Sequence, residues 1–139
     1  IFSEVNGPPG MACIRKNVSV MIKNKVKAYL SANPNTDAIL TLGPTSADPT
    51  IGALQEIGKA GQIYFGTFDL GAEIVKAIKD GTIKWGIDQQ PFLQAYLPVI
   101  VLANYQRFGV LPGNNINSGP GFITKDALAK VEKFAGEYR

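Results

Sequence analysis

The chain has 139 residues, 45% hydrophobic and 18% charged, with a net charge of +3, which suits one compact domain or one lobe of a larger protein. It contains no histidine and a single cysteine, Cys13, which excludes Ser-His-Asp and Cys-His catalysis, every histidine-containing zinc site and an intrachain disulfide. Its basic residues are dispersed, only Lys23, Lys25 and Lys27 approach a run, and no apolar stretch is long enough to span a membrane, so a nucleic-acid arm and a transmembrane anchor are not expected.

Residues 1–17 contain the breaker cluster Gly7-Pro8-Pro9-Gly10 and read as an irregular arm. They hold no G-x-G-x-x-G and no G-K-[ST], so a phosphate loop is not supported. The start carries neither a secretory leader nor an initiator Met, which reads as a processed form or a fragment. Val18-Ser19-Val20-Met21-Ile22 is a short β-branched run expected as the first strand. Val26, Tyr29 and Leu30 then sit at helical spacing, and Ala32-Asn33-Pro34-Asn35 ends that helix.

Asp37 to Leu42 is almost wholly apolar, the pattern of a strand covered on both faces. Gly43 to Ala47 reads as a polar turn, with Asp48 as an N-cap and Pro49 at the first position of the next helix. Ile51, Leu54 and Ile57 form its inner stripe, and Gly58 and Gly61 close it. A strand from Ile63 ends at Gly66-Thr67-Phe68-Asp69. The helix after it starts near Leu70, buries Ile74, Val75 and Ile78, and stops at Asp80-Gly81. Ile83 to Ile87 is the next strand, ending at Asp88-Gln89-Gln90-Pro91.

Phe92 to Phe108 is the longest apolar segment, with Leu93, Tyr96, Leu97, Ile100, Val101 and Tyr105 in a broad stripe expected to be core. Leu111 to Gly121 reads as a loop, Phe122-Ile123-Thr124 as a brief strand, and Leu128, Val131, Phe134 and Tyr138 as one face of a final helix capped by Thr124. Strands near 18, 37, 62 and 82 alternating with helices define an α/β fold with a mostly parallel sheet and right-handed crossovers over residues 18–139.

Turns after parallel strands gather along one edge of the sheet, where small ligands bind. Here they bring Thr45 and Ser46, Asp69, and Asp88-Gln89-Gln90, with Phe68 and Phe92 nearby. Carboxylates accept hydrogen bonds from adjacent hydroxyls, amides donate and accept, and aromatic rings cover the apolar face of a sugar, so the set suits a neutral polyol. Simpler roles stand beside this one: Asp69 as the cap of the following helix, Thr45 and Ser46 as ordinary turn residues, Trp85 packed on the sheet and Cys13 as an inert thiol.

In this order the pieces resemble the C-terminal half of a type I periplasmic sugar-binding protein, the ribose-binding-like receptors of ABC importers. The resemblance rests on Asp37-Ala38-Ile39-Leu40, Ile57 to Gly61, Gly66-Thr67-Phe68-Asp69, Ala77 to Ile83, Asp88-Gln89-Gln90-Pro91 and Gly121 to Asp126, and covers about residues 24 to 139. It implies a Rossmann-like lobe of a two-lobed receptor that closes on a sugar, with Asp69 and Gln89 on sugar hydroxyls. It further implies hinge crossings near 88–91 and 119–122, a membrane permease as partner, and a periplasmic or lipid-anchored location. Ser46 stands in a turn where the family often has asparagine, and Gln90 and Phe68 flank the pair. No cofactor and no enzymatic activity are expected. Family members carry a complete first lobe ahead of this region, so half the cleft is expected to lie outside these residues. Two rivals share the fold: the effector domain of a LacI-type repressor, which needs a helix-turn-helix not found here, and a flavodoxin-like enzyme using Asp69.

Overall fold

The order of apolar runs and glycine stops organises the chain around one sheet. The computed structural model describes residues 9–137, with side chains from residue 17 onward. Helix α1 (Pro9–Ala32) leads into β1 (Ala38–Thr41), followed by α2 (Pro44–Glu56), β2 (Tyr64–Phe68), α3 (Ala72–Asp80), β3 (Trp85–Asp88), α4 (Pro91–Phe108) and β4 (Gly121–Ile123). Two short 3-10 turns, Leu128–Lys130 and Glu132–Phe134, close the described chain. The strands lie in the order β1-β2-β3-β4; the first three are parallel and β4 runs antiparallel to β3. The α/β class and the mostly parallel sheet are as the sequence predicts.

Pairing register assigns side chains to faces, because residues directly opposite across a ladder point the same way. Ile39 pairs with Phe65, and Gly86 with Ile123. This face, with Thr41, Thr67 and Asp88, is buried against Leu54, Ile74, Ile78, Ile83, Leu128 and Val131, and Leu30 of α1 joins the same core. On the opposite face Leu40, Tyr64 and Phe122 are exposed. There the Trp85 indole lies across Gly66, where a Cβ would overlap the ring, and Trp85 meets Phe122 at 5.6 Å between ring centroids.

Several expectations are corrected. The run Val18 to Ile22 is helical, inside α1, and residues 9–17 belong to the same helix rather than to an irregular arm; residues 1–8 lie outside the described ones. Val18, Ile22, Val26 and Leu30 recur every four residues and face inward along α1, a period that a five-residue window cannot register. Helix α2 begins at Pro44, not after Asp48, so Gly43 is its cap and Pro49 sits inside it. Helix α3 begins at Ala72, capped by Gly71 rather than by Asp69. β1 is an edge strand open on one face, since Leu40 and Leu42 are exposed.

The apolar stripe of α4 is helical as predicted but contributes no buried residue to a core. No helix among the described residues is long and apolar enough to cross a membrane. The final helix is replaced by 3-10 turns, in which Val131 N–H donates to Leu128 O and Phe134 N–H to Val131 O, both at 3.0 Å. Leu128, Val131 and Phe134 recur strictly every third residue, the period of that tighter helix. Tyr138 lies outside the described residues.

Candidate functional site

β2 and β3 end side by side, and the chain leaves each through a left-handed residue that is not glycine. Asp69 has φ 60° and Gln90 has φ 55°. Positive φ is uncommon outside glycine, though aspartate tolerates it better than most residues. Such strain persists only where the surroundings hold it, and it concentrates at functional sites. The backbone N–H of Asp69 donates to Ile87 O at 2.8 Å, which extends the β2–β3 ladder to the sheet edge. The Gln89 side chain donates from Nε2 to Oδ1 of Asp69 at 3.2 Å. This bond joins the ends of adjacent strands. A carboxylate has a second oxygen and a side-chain amide a carbonyl oxygen, so both partners keep acceptor capacity beyond this bond.

The turn after β3 is held from both sides. Asp88 is fully buried, and its Oδ1 accepts the backbone N–H of Gln90 at 2.9 Å. Gln94, in the first turns of α4, donates from Nε2 to the Gln89 backbone carbonyl at 2.7 Å, while its N–H donates to Gln90 O at 3.1 Å. Phe68, Ile87, Gln89 and Gln94 line a cavity of about 250 Å³ with Ser118, Gly119 and Pro120. Two segments remote in sequence, the β2–β3 ends and the loop before β4, thus meet around one small space.

The other expected residues fall as follows. Ser46 lies in the first turn of α2, at the same sheet edge, and its hydroxyl donates to Gly43 O at 3.1 Å within its own turn. Thr45 is exposed in that turn, so neither is a loop residue as predicted. Gln90 is half-buried and serves as the N-cap residue of α4 without a side-chain capping bond. Phe92 stacks on Tyr96 along α4, with ring centroids 5.8 Å apart, and is not among the cavity's lining residues. Gln94 and Ser118 were not foreseen. A glutamine in an otherwise apolar helix start was the available signal for the first; Ser118 had none.

A buried hydroxyl pair, Thr41 to Thr67 at 2.8 Å, ties β1 to β2 beneath the site and was equally unforeseen. Away from the pair, partial burial first and then the charge of Glu73 push the Asp48 carboxyl above its ordinary range. The ammonium of Lys23 first, then that of Lys27, holds Glu56 below its own. No group of three or more histidine, cysteine or acidic residues placed to hold a metal occurs among the described residues.

Adjacent parallel strands thus end at one edge in a hydrogen-bonded carboxylate and amide, and Gln89 and Phe68 also line a small cavity. The chain belongs to the periplasmic binding protein domain family, whose model matches residues 16–109. It is 29% identical to the xylose/arabinose-binding protein XylF of Sulfolobus acidocaldarius over 112 residues, which are 76% of this chain and 28% of that protein. Among solved structures it resembles a carbohydrate transporter from Acidothermus cellulolyticus in complex with myo-inositol, at 31% identity and a TM-score of 0.75, covering 84% of this chain and 41% of that one. A galactofuranose-binding protein shares the fold at 20% identity and a TM-score of 0.70, over 84% of this chain and 41% of its own. The chain therefore spans less than half the length of these relatives.

Proposed function

We propose that the chain is the sugar- or polyol-binding lobe of an ABC importer's solute receptor, and that Asp69 and Gln89 grip ligand hydroxyls. The observation that carries this reading is the hydrogen-bonded Asp69–Gln89 pair at the ends of adjacent parallel strands, with Asp69 itself and Gln90, next to Gln89, in the left-handed region. Ligand hydroxyls inserted between the two groups would exchange one long bond for shorter ones, since each partner keeps acceptor or donor capacity. Among the described residues lining the cavity none is cationic, which favours a neutral polyol over a sugar acid or phosphate. Phe68 supplies the apolar surface for ring C–H groups, Gln90 shapes the turn, and Ser46 is a more distant candidate at the same edge.

On this reading the protein binds and hands over its ligand without chemistry. A second lobe faces Asp69, the chain crosses between lobes near 88–91 and 119–122, and a membrane permease receives the sugar outside the cytoplasm. The similarity to carbohydrate-binding relatives supports this assignment. Calorimetric titration of the full-length receptor with myo-inositol, xylose, arabinose and fucose should find a binder. Asp69→Ala should weaken it by about 10-fold or more, given about 1.5–3 kcal/mol for a hydrogen bond to a charged group, and Gln89→Ala by about 2- to 10-fold, given about 0.5–1.5 kcal/mol for a neutral amide. A silent panel, or two variants that bind like the parent, would overturn the proposal.

A further inference from the structure

Gln89 bonds Asp69 from a turn whose next residue takes an unfavourable conformation. Gln90 has φ 55° and ψ 60° and precedes Pro91, whose ring drives its neighbour toward extended backbone. A glutamine so placed is disfavoured twice, and the local chain offers no glycine to relieve it. Two side chains meet that cost. The buried carboxylate of Asp88 accepts Gln90 N–H, closing a turn around Gln89, and the Gln94 amide donates to the Gln89 carbonyl at the turn's crest. The loop before β4 packs closely behind: a Cβ at Gly119 would come within 3.0 Å of the Asp88 carbonyl oxygen.

We infer that Asp88 and Gln94 are positioning residues: together they clamp Gln90 in the left-handed region and so aim the Gln89 amide at Asp69. The inference rests on the sugar-binding reading for its effect on affinity, but not for the geometry it asserts. Asp88 is fully buried and acts only through Gln89; Gln94 also lines the cavity, so its part in the clamp is read from the Gln89 amide signals rather than from affinity. The clamp acts by preorganisation, removing the conformational cost that binding would otherwise carry.

The test uses the full-length receptor with two readouts: the side-chain amide NMR signals of Gln89 without ligand, and calorimetric affinity for the best binder among myo-inositol, xylose, arabinose and fucose. Asp88→Ala should move the Gln89 amide signals to those of an unbonded amide, as Asp69→Ala does, and weaken binding by about tenfold, the scale of one lost hydrogen bond. Gln94→Leu, at an exposed position that does not threaten folding, should shift the signals the same way with a smaller loss. Asp88→Asn keeps an acceptor at Oδ1 and should stay near the parent in both readouts. The decisive arm is Gln90→Gly, which adopts positive φ freely: in that background Asp88→Ala should cost less than about threefold. An undiminished loss there, or Gln89 signals unmoved by Asp88→Ala and Gln94→Leu, overturns the clamp. If the amide signals respond as stated while no sugar binds, the clamp stands and the sugar reading falls.

Discussion

The two faces of the sheet are built from the same kinds of residue and meet different fates. On one, Phe65, Ile123 and the Thr41–Thr67 pair lie under α2, α3 and the first 3-10 turn, with Leu54, Ile74 and Ile78 wholly enclosed. On the other, Leu40, Tyr64 and Phe122 face outward, with shelter where Trp85 folds over Gly66 and where Phe68 and Ile87 line the small cavity. Helix α4 sides with the open face: it is the most apolar helix of the chain and buries no residue. Burial is thus a property of what stands opposite a side chain and not of the side chain itself, and stability in this chain is concentrated on one side of the sheet.

That contrast can be broken by substitution. The largest effect is expected at the enclosed face. Phe65→Ala should cost about 3–5 kcal/mol and Leu54→Ala about 2–5 kcal/mol, the sum of lost transfer energy and a cavity. Leu42→Ser and Leu102→Ser, equally hydrophobic but exposed, should stay within about 0.5 kcal/mol. Urea unfolding of the chain measures all four, and equal losses on both faces would remove the distinction.

Next comes the Trp85 contact on the open face. Gly66→Ala puts a methyl group into the Trp85 ring and should cost about 1–3 kcal/mol through overpacking. In a Trp85→Leu background the same change should be nearly free, and the non-additivity of the pair reports the contact. An additive pair would mean that the indole does not rest on Gly66.

The smallest effects are electrostatic and run in opposite pH directions. Glu56 is held below its ordinary value of 4.5 by Lys23 and Lys27, so its stabilising share is present above that pH and fades as pH falls through its lowered value. Asp48 is raised above 3.8, so its contribution is favourable below that pH and is lost as pH rises through the raised value. Thermal melts should therefore show Asp48→Asn slightly more stable than the parent at pH 7 and indistinguishable from it at pH 3. Glu56→Gln should be slightly less stable at pH 7, with the difference shrinking in high salt. A Glu56→Gln deficit that grows as pH drops to 3 would contradict the ion-pair assignment.

Much of the scaffold was readable before any coordinates. Helix α3 announces itself by Ile74, Val75 and Ile78 on one face and by Gly81, which takes the left-handed cap at φ 85°. β2 and β3 are apolar runs that end where polar residues begin, so the positions of Asp69 and Gln89 at one sheet edge followed from pattern alone. Segments too short to repeat a helical period carry an ambiguous pattern. Four apolar residues in the five-residue run 18–22, three of them β-branched, fit a strand until Val26 and Leu30 extend them into a helix face. The start of α2 was misplaced because Asp48-Pro49 is a good local start signal, yet Gly43-Pro44 provides one five residues earlier.

The sequence by itself determined the α/β alternation from β1 to β3 and the parallel sheet, because hydrophobic period, capping glycines and strand-end polarity are local and need no partner to be read; from the polar strand ends it was the family resemblance that singled out Asp69 and Gln89. Only the tertiary structure decided that Asp69 and Gln89 are bonded, that Asp88 and Gln94 hold the turn between them, and that α4 and one face of the sheet remain uncovered. Hydrogen-bond geometry and burial depend on which segments come together across the chain, and no local pattern encodes that meeting.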